Sequence, residues 1–125
     1  MVLKIKKIEN PDIDILMELA NKFKFNDINL SFYESIFEFY NGNELIGIIN
    51  YCILPSMTGK DRVFIRNLFY LDDKYIYDII KSLCKYSKKK NLTINTSLDN
   101  TNFNNKCKKA FYDNNFTGND WIYYI

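Results

Sequence analysis

The chain has 125 residues, 47% of them hydrophobic and 17% aromatic, and carries a net charge of +2. That length supports a single domain, residues 1–125, with one core, and the composition excludes a disordered chain. The charge is too weak to imply nucleic-acid or membrane binding, and no apolar run approaches the roughly 20 residues that span a bilayer.

Two further exclusions narrow the chemistry. The sequence has no histidine, which removes histidine triads, imidazole bases and zinc sites of the His-x-x-x-His type, so no metal centre is expected. Cys52, Cys84 and Cys107 are odd in number and widely spaced, as expected for small core residues rather than a disulfide framework. Acid–base chemistry must then use carboxylates, Tyr, Lys or water. The N-terminus alternates apolar and basic residues without the apolar block of a signal peptide, so the expected location is the cytoplasm.

In chain order, residues 2–8 alternate, with Leu3 and Ile5 against Val2, Lys4 and Lys6, and predict a strand. Asn10-Pro11-Asp12 offers a helix start with Pro in the first turn. Ile13, Leu16, Met17, Ala20 and Phe23 continue at helical spacing to about residue 24. Residues 25–35 are polar and irregular, with a short second helix expected around Ser31–Glu34. Phe37–Tyr40 and Leu45–Leu54 flank Asn41-Gly42-Asn43-Glu44, a strong hairpin signal.

Pro55–Asp61 reads as a loop and Arg62–Leu71 as a β-branched and aromatic strand. From Asp72 the period becomes helical, with Ile76, Ile79, Ile80, Leu83 and Cys84 on one face. Lys85–Lys90 suit the helix C-terminus as a solvated basic end, and Asn91 suits a left-handed cap. Leu92–Leu98 predicts a strand, Thr101–Tyr112 a helix and Asp120–Ile125 a last strand. The order β-α-(α)-β-β-β-α-β-α-β implies an α+β fold, an α/β/α sandwich with helices on both faces of a mixed, mostly antiparallel sheet.

The segment Asn104-Asn-Lys-Cys-Lys-Lys-Ala-Phe-Tyr-Asp-Asn-Asn-Phe116 resembles the last conserved segment of the GCN5-related N-acetyltransferases (GNAT), Asn-x-x-Ala-x-x-x-Tyr-x-x-x-Gly-Phe. The hairpin with its Leu45-Ile46-Gly47-Ile48 step, the strand Ile65–Leu71 and the helix Ile79–Leu92 are similar to the family's second to fourth strands and third helix, in the same order. The resemblance implies a GNAT-like acyl-CoA N-acyltransferase fold. It also implies acetyl-CoA as cosubstrate and a small-molecule or peptide amine as acceptor. In the family, the fourth and fifth strands splay and pantetheine adds to the fourth-strand backbone, which here implies Leu68, Phe69, Tyr70 and Leu71. By the same carry-over Lys74 and Tyr75 stand at the phosphates, Asn104 contacts the cofactor, and Tyr112 is the catalytic acid that protonates the leaving thiolate.

The sequence departs from the family at two places. The glycine-rich pyrophosphate loop is missing, because Gly42, Gly47, Gly59 and Gly118 all lie outside that connection. Leu71–Asp78 stands there instead, about four residues shorter than the usual loop, with Asp72 and Asp73 at a helix start where carboxylates cap amides and repel phosphate. An ungapped overlay also puts Asn115 on the family Gly and Phe111 on its Tyr, whereas a one-residue deletion in the turn puts Tyr112 there. Both registers stand at this point. Glu34 and Glu38 are secondary candidates for orienting a water toward the amine.

The expected function is therefore a divergent acetyl-CoA-dependent N-acetyltransferase. The alternative is a catalytically inactive GNAT-fold binding or regulatory module, and a third reading is a homodimer formed through the C-terminal strand.

Overall fold

The computed structural model describes residues 3–25, 35–55, 57, 59–97, 103–118 and 121–124. Its elements are β1 (Lys4–Ile8), α1 (Ile13–Phe23), β2 (Ser35–Asn41), β3 (Glu44–Leu54), β4 (Arg62–Tyr70), a 3-10 turn (Asp73–Tyr75) continuing into α2 (Ile76–Lys90), β5 (Thr93–Ser97), α3 (Asn105–Asp113) and β6 (Trp121–Tyr124). The six strands form one sheet in chain order. Only β4 and β5 run parallel, joined by the α2 crossover; every other neighbouring pair is antiparallel.

Side-chain alternation divides the sheet between two cores. One face packs Phe37, Phe39, Ile49, Val63, Ile65 and Ile94 against Ile76, Ile79, Ile80 and Leu83 of α2 and Cys107, Ala110 and Phe111 of α3. The other packs Ile36 and Ile48 against Leu16 and Leu19 of α1, with Phe69 at its margin stacked on Phe25 at 4.2 Å. The α/β/α sandwich read from the sequence is the one observed. The short helix expected around Ser31–Glu34 lies outside the described residues.

Local signals explain most of the boundaries. Asp12 caps α1 by accepting the Ile15 N–H at 3.0 Å, so Pro11 precedes the cap rather than sitting in the first turn. Gly42, at φ +62°, supplies the first residue of the two-residue turn between β2 and β3. Asn91 takes the left-handed position expected of it, with φ 55°, and closes α2. α3 begins at Asn105 rather than Thr101, because Asn104, itself in an extended conformation, caps it by accepting the Cys107 N–H at 2.9 Å.

The three cysteines are free, with Cys84 and Cys107 buried. No group of potential metal ligands and no helix long and apolar enough to cross a membrane occurs among the described residues. The two rims of the sheet differ. β1 carries Lys4, Lys6 and Lys7. At β6, the strand expected to support a homodimer, the main chain of Tyr123 exchanges hydrogen bonds with Thr117 at 3.0 and 3.1 Å, so its outward groups are occupied.

At Gly47 α2 packs tightly on the sheet: a Cβ there would lie 2.4 Å from Ile79 Cδ1 and 3.2 Å from the Phe69 carbonyl oxygen. Ile79 is fully buried and has little room to yield. Gly47→Ala should therefore cost about 1–3 kcal/mol of stability, read as a lower urea midpoint with unchanged slope.

Candidate functional site

The pairing of β4 with β5 ends part-way along β4. Residues Arg62–Ile65 pair with Thr93–Thr96, while β4 continues alongside β3 to Tyr70. The parting coincides with a β-bulge. Tyr51 pairs with Ile65 and Asn50 with Asn67, leaving Arg66 as the extra residue. Side chains brace this point on both sides. Thr96 Oγ1 donates to the Ile65 carbonyl at 3.1 Å. Asn67 Nδ2 donates to Asn50 Oδ1 at 2.9 Å, and Asn50 Nδ2 donates to the Ser35 carbonyl at 3.3 Å. A buried amide chain thus fastens the bulge to β3 and β2.

Beyond the bulge, antiparallel alternation decides which main-chain groups remain for a ligand. The Leu71 N–H donates to the Ile46 carbonyl at 3.0 Å, so Leu71 and, two residues back, Phe69 face β3. The N–H and C=O of Leu68 and Tyr70 face the opposite way, into the fork. Of the four residues expected at the pantetheine, two therefore turn their backbone groups away from β3 and two toward it.

The Tyr70 side chain brings another expected residue to the same place. Its hydroxyl accepts a hydrogen bond from Asn104 Nδ2 at 3.0 Å and lies 4.0 Å from Cys107 Sγ. Asn104 thus has two bonds, capping α3 through Oδ1 and holding Tyr70 through Nδ2. Burial pushes the Tyr70 phenol up to about 12, and the Asn104 bond only partly opposes it. Alongside, Lys106 of α3 pairs with Asp73 at the head of α2 and holds that carboxyl below its usual range. Nothing in the sequence pointed to the Tyr70 hydroxyl, to Cys107 beside it or to the Asp73–Lys106 pair; these contacts are 33 to 37 residues apart.

The residues expected at the phosphates divide similarly. Asp72 caps the 3-10 turn by accepting the Lys74 N–H at 3.0 Å, and its carbonyl accepts the Tyr75 N–H at 3.0 Å. Tyr75 is buried in the core, so its ring and amide are both in use. Lys74 is exposed, with its ammonium 5.1 Å from the centre of that ring. Glu38 is buried and accepts the Tyr40 hydroxyl at 3.2 Å, but it lies in the row Glu38–Ile48–Phe69, two strand spacings or about 10 Å from β4. Glu34 lies outside the described residues.

The end of α3 bears on both registers. Asn104 caps, Cys107 is buried, Asn115 takes φ +70° and Phe116 is buried, so the outer landmarks align without a gap. Phe111 lies between them, where the ungapped overlay puts the family Tyr. It is fully buried, edge-on to Phe103 and Phe116 with ring centroids at 5.3 and 5.0 Å. Tyr112, about 100° further round the helix, is 46% exposed.

No family model and no curated protein sequence matches the chain. Solved structures do. An N-acetyltransferase from Staphylococcus aureus Mu50 superposes with a TM-score of 0.66 at 16% identity, covering 99% of this chain and 97% of the other. A probable acetyltransferase from Staphylococcus epidermidis ATCC 12228 gives 0.66 at 19% identity, covering 98% of each. The fold is that of the GCN5-related N-acetyltransferases. The Campylobacter jejuni N-acetyltransferase PseH, in complex with acetyl coenzyme A, has the same GNAT fold, with a TM-score of 0.63 at 17% identity over 98% of this chain and 96% of the other.

The Tyr70 phenol gives this part of the GNAT fold a pH signature. Its folded pKa lies above the unfolded value of about 10, so the stability it contributes is complete below pH 10 and is lost as the pH rises to about 12. Tyr70→Phe should remove that part of the alkaline stability decline, seen by comparing denaturation midpoints of the two proteins between pH 9 and 12.

Proposed function

We propose that the chain is an acetyl-CoA-dependent N-acetyltransferase acting on an amine acceptor. The observation that carries this reading is the fork: β4 leaves β5 after Ile65, and the main chain of Leu68 and Tyr70 faces the gap. An amide-bearing arm satisfies such groups as an added strand would. Acetyl-CoA, when bound, supplies the acyl thioester; the roles below belong to the chain.

Leu68 and Tyr70 hold the arm by backbone hydrogen bonds, and N–H groups at the bulge polarise the acyl carbonyl as the amine nitrogen attacks. Lys74 stands near the phosphates as a point charge in place of a glycine cradle. Asn104 is already bonded to Tyr70, so its amide reaches a ligand only when that contact opens. With Phe111 in the core, Tyr112 carries the α3 hydroxyl next to the family position, and we assign it the proton delivered to the departing thiolate.

A thermal-shift titration tests the reading. Acetyl-CoA at 100 times its Kd should stabilise the protein by about 2.7 kcal/mol, and hydrogen exchange should slow at the Leu68 and Tyr70 amides. No shift at millimolar acetyl-CoA removes the enzyme. Tyr112→Phe should lower kcat about 100-fold at unchanged KM; an unchanged kcat would assign the proton to water and leave the fork's role intact.

One second reading has specific support. Phe111 lies buried in the core and Asp72 caps the Lys74 amide at the head of α2, which favours a binding module that has lost turnover. Acetyl-CoA binding with no acetyl transfer to any of a panel of amines would select it.

A further inference from the structure

A cavity of about 240 Å³ lies between α2 and β1, at the opposite rim of the sheet from β5 and β6. A water takes about 30 Å³ in the liquid, so the space equals about eight waters. Leu3 and Ile5 line it from the strand side. Tyr86 lines it from the helix, its ring held edge-on to Phe37 with centroids 5.2 Å apart. Ser82 and the lysines Lys81, Lys85 and Lys89 complete the helix wall. At 100° per residue, the five helical positions fall within an arc of about 140°, so one face of α2 supplies them all.

Two independent features point to a ligand. The first is charge. The helix dipole accounts for Lys88, Lys89 and Lys90 in the last turn of α2, but not for Lys85 and Lys81, one and two turns earlier. Lys81, Lys85 and Lys89 also follow one another at intervals of four, where like charges destabilise a helix. Lys85 and Lys89 make no ion pair among the described residues. Two acids near by are already taken: Glu9, after β1, by Lys7 at 2.8 Å, and Asp113, across the cleft that Lys81 and Lys85 share with the end of α3, by Lys109. The second feature is Ser82, which is 9% exposed and whose hydroxyl has no hydrogen-bond partner among the described residues. Ser87 on the same helix shows the ordinary arrangement, its hydroxyl donating to the Cys84 carbonyl at 2.8 Å. A near-buried hydroxyl without such a bond keeps its donor for a ligand.

We infer that this cavity binds a small organic anion, a carboxylate or a phosphate carried on a compact apolar body. Lys85, flanked by Lys81 and Lys89, neutralises the anion, and the Ser82 hydroxyl donates to one of its oxygens. The body lies on Leu3 and Ile5 beside the Tyr86 ring. A bare inorganic anion gains nothing from those apolar surfaces, and a neutral molecule gains nothing from the lysines. An ammonium is a point charge with freely turning donors, so it suits a carboxylate and a phosphate alike. The site goes beyond the acetyltransferase reading and does not depend on it: the fork runs along β4, three strand spacings or about 14 Å from β1.

The test is a titration of the 15N-labelled full chain, followed through its backbone amide signals. The probes are phenylacetate, phenyl phosphate, neutral benzyl alcohol and inorganic phosphate. Phenylacetate or phenyl phosphate should move the Ile5, Ser82, Lys85 and Tyr86 amides saturably, and the tighter of the two identifies the anion. Benzyl alcohol and inorganic phosphate should each bind at least about tenfold more weakly. Lys85→Glu should weaken the tighter probe about tenfold and Ser82→Ala about fivefold, while Lys109→Gln on α3 leaves it unchanged. Amide signals away from α2 and β1 report that each variant is folded. Saturating acetyl-CoA should leave the probe in place. Equal binding of either control probe, shifts that gather at Leu68 and Tyr70 instead, displacement by acetyl-CoA, or indifference to either cavity variant overturns the proposal. A protein that binds the anionic probe here and shows no response to acetyl-CoA loses the enzyme reading and keeps this site; the converse loses the site alone.

Discussion

Two neighbouring strands of a parallel pair share one ladder of amides and carbonyls, and here that ladder ends half-way along β4, at the Ile65–Thr96 pair. The bulge at Arg66 makes the separation tolerable: it ends the β5 ladder at Ile65 while the β3 ladder resumes at Asn67. The Asn67–Asn50–Ser35 chain and the Thr96–Ile65 bond hold both sides of the point of parting. Once the strands diverge there, alternation alone hands Leu68 and Tyr70 to the gap and Phe69 and Leu71 to the sheet. Groups turned that way suit a ligand that can imitate a strand.

The rest of the site is arranged around the mouth of that gap. α3 reaches it through Asn104 and Lys106, and α2 through Asp73, so the heads of both helices are tied together beside Tyr70. These ties include groups that the fold family would be expected to turn toward its cofactor. A ligand entering here exchanges existing contacts for its own rather than filling open amides. That makes the phosphate end the weak part of any such complex and the backbone of β4 the strong part.

Much of this was legible beforehand because it was local. The switch from alternating to helical spacing at Asp72, the left-handed role of Asn91, the Gly47 step and the outline Asn104–Phe116 all depend on neighbours within a turn or a pleat. The bulge was not legible: Arg66 and Asn67 look like two more residues of a strand, and the inserted residue shows only against the Tyr51 and Asn50 partners. Nor was the fate of Tyr75, whose ring belongs to the core rather than the helix head, or the Tyr70 hydroxyl, whose partners lie on α3. Nor was the start of α3 legible: Asn104 reads as one more polar residue of the helix expected from Thr101, and only its bond to the Cys107 amide marks it as the cap.

The rims of the sheet have a consequence for how this molecule behaves when concentrated. Lysines guard β1, and Thr117 occupies the outward main chain of Tyr123 on β6. Neither border offers a continuous template on which a foreign β-segment can grow. Strand addition, the route from a native sheet to a cross-β fibre, is thus disfavoured at both rims.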